Sequence, residues 1–600
     1  MGLHVDGPPG PITERIQLMS LREATLGRAA RPSTLGRLLR DPLTLTTLAI
    51  TALVGFLALQ PTVMLVQGSL LDAPLGKAGN WTLEHYRAAY SDPETYQLIL
   101  NSFVFAIGSS VLSLLLGGVM AWITIRTNAP LRGLFELTAI LPNIIPPLLI
   151  AVSWTYLLNP SVGMLNVALA SLLGLGSAPL NIYSMPGMIF VEGLILTPLA
   201  FLIIAAALRS MDPALEESAR ISGSHHVQVI RRVTFPLIRP ALLAALILNF
   251  VRAIESFDTP AVIALPARIE VFTSKIYKEA LDAFPPNHNL AATYAMSLLA
   301  ITLTLVYVYR FLIRKTERFA TVTGRGYRQA VIDLGRGRYG ASAVAALILV
   351  LLAAVPLATL ALISVLPFFP MPPREALALV TLKHYRVILG DSRVWTAMGN
   401  SLFLAVVGAT VAMCLASVIA YLTVKAKVAG RGLLEGLTFI PWAFPGTALG
   451  IGLLWAYVRF PIPVYATLWI LLIGYVTRFL PYGLRTMSGT IVQIHRELEE
   501  ASRVAGGGFV TTFRRILLPL MKPGFVAGWI LLATIFIREF SLSLFLYTPA
   551  SEPVGPLLYH LWLDGLHGRM GALGLIVTAL CFGLIFLARR WVSDVATARR

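Results

Sequence analysis

Twelve stretches of about 20 predominantly apolar residues recur along the 600-residue chain, each long enough to cross a hydrocarbon core. Lipid offers no partner for a backbone amide, so each stretch is expected to close its own hydrogen bonds as a helix. The first six lie near 45–68, 97–125, 135–158, 186–208, 240–264 and 291–313. The second six lie near 341–366, 398–424, 434–457, 463–484, 523–547 and 571–588. The chain therefore reads as all-α and polytopic.

A formal charge of +18 raises the possibility of a nucleic-acid partner, but the placement of the charge argues for a membrane. Arg15, Arg22, Arg28, Arg31, Arg37 and Arg40 precede the first span; Arg310, Arg314, Lys315, Arg318, Arg325, Arg328, Arg336 and Arg338 surround the midpoint. The positive-inside rule makes both segments cytoplasmic, whereas Asn159–Ser184 has no charge and is expected on the other side. The layout is then a basic arm (1–44), a first half (45–314), a basic linker (315–340) and a second half (341–600), with both termini cytoplasmic. The first apolar stretch comes too late for a cleaved signal peptide.

The two halves repeat. Thr82, Leu83, His85, Tyr86 and Arg87 match Thr381, Leu382, His384, Tyr385 and Arg386 at an offset of 299, as Asn101, Arg132 and Pro142 match Asn400, Arg431 and Pro441. Beyond Asn159–Ser184 the offset falls to 283, so the first half carries about 16 extra residues there. Parallel halves imply a pseudo-twofold axis along the membrane normal, where a substrate path would run.

The most informative repeat is polar. Glu217, Ser218, Ala219, Gly223, Val233, Phe235 and Pro236 recur as Glu500, Ala501, Ser502, Gly506, Ile516, Leu518 and Pro519 within loops 212–240 and 495–523. Asp212 is a suitable N-cap, Pro213 suits the first helical position, and Glu216 and Glu217 lie near the positive helix end. Gly223 is expected to stop that helix in a left-handed cap, and Pro236 to end a second short helix with Arg231 and Arg232 at its negative end. An ordinary basic loop would explain one copy, but not two with equal spacing.

This pattern resembles the EAA loop of binding-protein-dependent ABC importer permeases, and with the wider repeat the chain is similar to a fused permease of the type I importer fold. Tyr156–Pro160, Gly163–Asn166, Arg538, Glu539, Ser541–Leu544, Tyr547–Pro549 and Glu552 most resemble the ferric iron importer permeases. The resemblance implies a permease delivering ferric iron to the cytoplasm across a bacterial inner membrane. It implies a soluble extracytoplasmic binding protein and two copies of an ATPase subunit, which would use ATP and Mg. Thiamine, 2-aminoethylphosphonate and polyamine importers share the pattern, and an ion-coupled secondary transporter is the alternative from another class.

Within the chain no cofactor or catalytic residue is expected. The only Gly-Lys pair, Gly76 and Lys77, lacks the rest of a phosphate-cradling loop. His85 and His384 have no ligand-spaced neighbour, so no metal site is expected, and Cys414 and Cys581 read as buried apolar residues. Arg252, Glu255 and Asp258 in the fifth span, and Arg538 and Glu539 in the eleventh, are candidates for the translocation path, because charge in a span must face protein or water. Glu192 is a weaker candidate. The competing reading breaks each helix near Asp258, Pro260 or Ser541 and leaves the charges at the outer interface.

Overall fold

A computed structural model describes residues 42–316, 331–368, 379–426, 428, 430–458 and 463–597. The basic arm before residue 42, and Arg318, Arg325 and Arg328 of the linker, lie outside the described residues. Regular structure among the described residues is helical, apart from two isolated bridges, Leu71 with Trp81 and Thr127 with Ile332. The chain is a multi-pass membrane protein. Nine described helices are long and apolar enough to span: Leu43–Leu70, Pro93–Arg126, Met185–Ser210, Val227–Ile254, His288–Val308, Gly337–Val365, Ser392–Ala426, Val510–Ile537 and His567–Phe586. A further helix, Leu468–Val492, covers the expected tenth span and carries Arg478 and Arg485.

The expected spans 135–158 and 434–457 are not straight. Arg132–Ile144 meets Pro147–Leu158 at 96°, and Arg431–Ala443 meets Gly446–Val458 at 109°. A residue before proline is driven out of the helical region. Ile145, before Pro146, has ψ 130°, and Phe444, before Pro445, has ψ 121°. The repeat therefore writes the same bend twice.

Two more expectations need correction. The fifth and eleventh spans were expected to reach 264 and 547, but their helices end at Ile254 and Ile537. In the second case the Glu539 carboxylate accepts from the amide of Leu542 at 2.9 Å, just ahead of the short helix Ser543–Leu546. Pro236 and Pro519 do not end a helix either. At Ile230–Thr234 and Phe513–Leu517 the helix opens into a π turn, a wider turn that accommodates the following proline, and runs on into the span. Arg231, Arg232, Arg514 and Arg515 thus lie within these π turns rather than at a helix end.

Smaller features follow local chemistry. The uncharged insertion folds as the helix Met164–Leu173, held by buried Asn166, whose amide bonds the carbonyls of Leu158, Asn159 and Leu180. His85 and His384 each bond the backbone carbonyl that closes the preceding helix, Leu71 at 3.0 Å and Leu366 at 2.8 Å. Cys581 is buried as expected; Cys414 is exposed, on the outer face of Ser392–Ala426.

Candidate functional site

Each repeated polar loop is a short helix, a tight turn and a second helix. Pro213–Ile221 is capped by Asp212, which accepts from the Ala214 amide at 2.9 Å. The chain then turns at Gly223 with φ 86°, as the second loop turns at Gly506 with φ 80° after Glu497–Val504. A β-carbon is disfavoured at such φ values, which is why both positions are glycine.

The adjacent glutamates of each first helix have different fates. Glu217 and Glu500 are exposed, whereas their neighbours Glu216 and Glu499 turn inward. Glu216 pairs with Arg126 at 2.8 Å, with both side chains at most 3% exposed, and accepts from Thr234 at 2.6 Å. Glu499 pairs with Lys425 at 2.7 Å. The partners are repeat equivalents, so each half ties its loop to the end of its own second span by the same buried ion pair. Arg126 and Lys425 were missed in the sequence, although both stand at the same place in the repeat.

The outward faces also match. Leu215, Ile221 and Val227 are exposed in the first loop, and their equivalents Leu498, Val504 and Val510 in the second; Ile221 and Val504 reach 87% and 90%. Ser218, Phe235, Pro236, Ala501 and Leu518 share this exposure, while Ala219, Val233, Ser502, Ile516 and Pro519 are half-buried. The two surfaces are matched, partly apolar and flanked by Glu217 and Glu500.

The intramembrane candidates converge on the pseudo-twofold axis. Phe257 and Phe540, 283 residues apart, stack at 5.6 Å with ring planes 17° apart, and both are almost fully buried. Beside them Ser541 donates to Asp258 at 3.5 Å, again a pair of repeat equivalents. Arg252 pairs with Glu255 at 2.8 Å, as i, i+3 spacing allows. Glu539 pairs with Arg478 at 2.9 Å rather than with its neighbour Arg538, whose guanidinium instead donates to the Asn143 carbonyl in the first bend. Gly446, at the second bend, leaves room for Arg478: a β-carbon there would come within 2.5 Å of the guanidinium. Glu192 accepts from Thr259 at 2.6 Å and Ser256 at 3.1 Å.

The candidates of the fifth and eleventh spans sit at helix ends, as the competing reading had it; Glu255 and Glu539 are buried, while Arg252, Asp258 and Arg538 are half-buried. Arg478 was missed, although an arginine within an expected span carries the same signal as Arg252. Tyr547 and Glu552 belong to a cluster in which Arg393 grips Glu552 at 2.8 and 3.0 Å, His560 sits 2.9 Å from it and Tyr547 meets His560 at 3.1 Å. Burial opposes the Glu552 carboxylate, yet hydrogen bonds with His560 and Arg393 hold its pKa below the ordinary glutamate value. No group of three or more His, Cys, Asp or Glu among the described residues is arranged to hold a metal.

The profile of the family "Binding-protein-dependent transport system inner membrane component" matches residues 113–318 and again 408–599. The chain is 25% identical over 555 residues to the ferric transport system permease protein FbpB of Actinobacillus pleuropneumoniae, covering 91% of this chain and 78% of that one. A Haemophilus influenzae protein named for the same ferric transport role is 27% identical over 449 residues, covering 74% and 68%. A Salmonella typhi permease named for 2-aminoethylphosphonate transport is 29% identical over 242 residues, covering 40% of this chain and 82% of that one.

Proposed function

The chain belongs to the family of inner membrane components of binding-protein-dependent transport systems, as a fused ABC importer permease and not an enzyme, and from that premise we propose that its cargo is ferric iron. The observation that carries the iron reading is the likeness to permeases named for ferric transport over most of the length, both halves included. An extracytoplasmic binding protein would deliver the cargo, and two copies of an ATPase subunit, one per loop, would hydrolyse ATP with Mg. Family membership also leaves an ion-coupled carrier without support, since such a carrier has no use for paired loops.

The mechanism follows from the two ends of one helix. Val227–Ile254 has 28 residues, about 42 Å at a rise of 1.5 Å each and so longer than the roughly 30 Å hydrocarbon core, and the axial charges stand at its far end from the loop. ATP binding draws the loops together through Glu217, Glu500 and the exposed apolar residues. The Arg126–Glu216 and Lys425–Glu499 pairs carry that movement into the second span of each half. The Phe257–Phe540 stack, which has one ring from each half, parts as the halves rotate. Cargo then meets Arg252, Glu255, Asp258, Arg538 and Glu539, and hydrolysis restores the closed stack.

The cargo is tested by reconstituting the chain with its ATPase and binding protein in liposomes. ATP-dependent uptake of radiolabelled iron is expected, with no uptake of 2-aminoethylphosphonate, the second reading favoured by the 242-residue match. Uptake of the phosphonate and not of iron would reverse the assignment.

Orientation is proposed from charge: termini and loops cytoplasmic, Asn159–Ser184 outside. With Cys414 and Cys581 replaced by serine and alanine, an impermeant thiol reagent applied outside should label Ser177→Cys and leave Gly324→Cys unlabelled. Labelling of Gly324→Cys alone would invert the map.

A further inference from the structure

On the side of the Phe257–Phe540 stack away from the loops lies a cavity of about 510 Å³, walled by both halves. The first half contributes Tyr277, Asp282, Lys278, Glu270 and Arg268, the second half Tyr559. Tyr277 rests 5.3 Å from Phe257, and Tyr559 rests 5.1 Å from Phe540, ring centre to ring centre. The two phenol rings meet edge to face at 6.5 Å. The Asp282 carboxylate lines the same cavity as both phenols. The other acid of the wall, Glu270, is already taken by Lys278 at 2.7 Å and Lys275 at 3.2 Å; among the described residues Asp282 has no ion-pair partner.

We propose that Tyr277, Tyr559 and Asp282 form a transient site for a ferric ion at the outer mouth of the path, an inference that rests on the iron reading above. A small, highly charged ferric ion favours anionic oxygen donors, and phenolate and carboxylate are the two that side chains can supply. Each phenol that binds the metal releases its proton to water. Three protein oxygens fill only about half of an octahedral shell, so water or an anionic chelator keeps the rest, and Arg268 stands on the wall to meet such a chelator. Such a site holds an ion without trapping it. Because the phenols come from opposite halves, the movement that parts Phe257 from Phe540 also separates the donors and releases the ion toward the axis.

Phenolate bound to ferric iron absorbs visible light, which gives a readout independent of transport. The full chain in nanodiscs, titrated with ferric nitrilotriacetate, is expected to show this band. Tyr277→Phe with Tyr559→Phe should abolish it, and Asp282→Asn should weaken iron binding about tenfold or more. Phenylalanine keeps the ring packing, and circular dichroism checks that the variants retain their helices. Absence of the band in the wild type, or its persistence in the double variant, overturns the site. Wild-type ferric uptake that continues unchanged in the double variant overturns the site and leaves the iron reading standing. Failure of the wild-type complex to import iron overturns the iron reading, and this site with it.

Discussion

Glu216→Ala is expected to abolish transport by stranding Arg126, whose side chain is 1% exposed, as an uncompensated buried cation. Breaking a buried pair by removing one partner costs about 3–5 kcal/mol. The loss is larger than for an exposed ion pair, worth about 0–1 kcal/mol, because neither side chain can turn to water. Thr234 also loses its acceptor in this variant. Arg126→Lys should retain transport, since the second half already works with Lys425 and Glu499. The informative variant is the double, Arg126→Leu with Glu216→Leu, which removes both charges. If the pair carries motion from loop to span, the double should bind the ATPase and hydrolyse ATP while moving little substrate. Full recovery of coupled transport in the double would reduce the pair to a packing element, and a wild-type rate in Glu216→Ala would dismiss it altogether.

Glu539→Ala should be the most damaging of the axial substitutions. Arg478 and Glu539 are each about 10% exposed, so the arginine left behind has no route to solvent, and the Leu542 amide loses its acceptor as well. A loss of about 3–5 kcal/mol follows from breaking such a pair. Glu255→Ala should cost less, because its partner Arg252 is 41% exposed and can rehydrate. Arg478→Ala combined with Glu539→Ala should be milder than Glu539→Ala alone, since no orphan charge remains. Uptake and thermal melting of the three variants, with ATPase association as control, measure this ordering. Equal and small effects at Glu255 and Glu539 would take the charges off the path.

Much of the site was legible because it depends on neighbours within a few residues. Asp212, Pro213 and Gly223 write a capped helix and a left-handed turn in the sequence itself, and the loop takes that form. Arg252 and Glu255 could be paired from their spacing alone. The failures came one step further out. Glu216 and Glu217 are adjacent and chemically identical, so only the packing of the loop against Arg126 decides which turns inward. Pro236 reads as a stop by local rules, yet the π turn before it lets the helix continue into a span held by its neighbours.

The sequence alone therefore determined the membrane setting, the two parallel halves and the repeated polar loops, since apolar length, periodic spacing and capping are local properties of the chain. Only the tertiary structure decided that Phe257 lies on Phe540, that Arg478 rather than Arg538 answers Glu539, and that Tyr277 and Tyr559 share one cavity. The repeat offset identifies Phe257 and Phe540 as equivalents, but equivalence under a pseudo-twofold axis says nothing about distance from it. Residues touch their equivalents only where the axis passes between them, and its course is set by how the two halves pack.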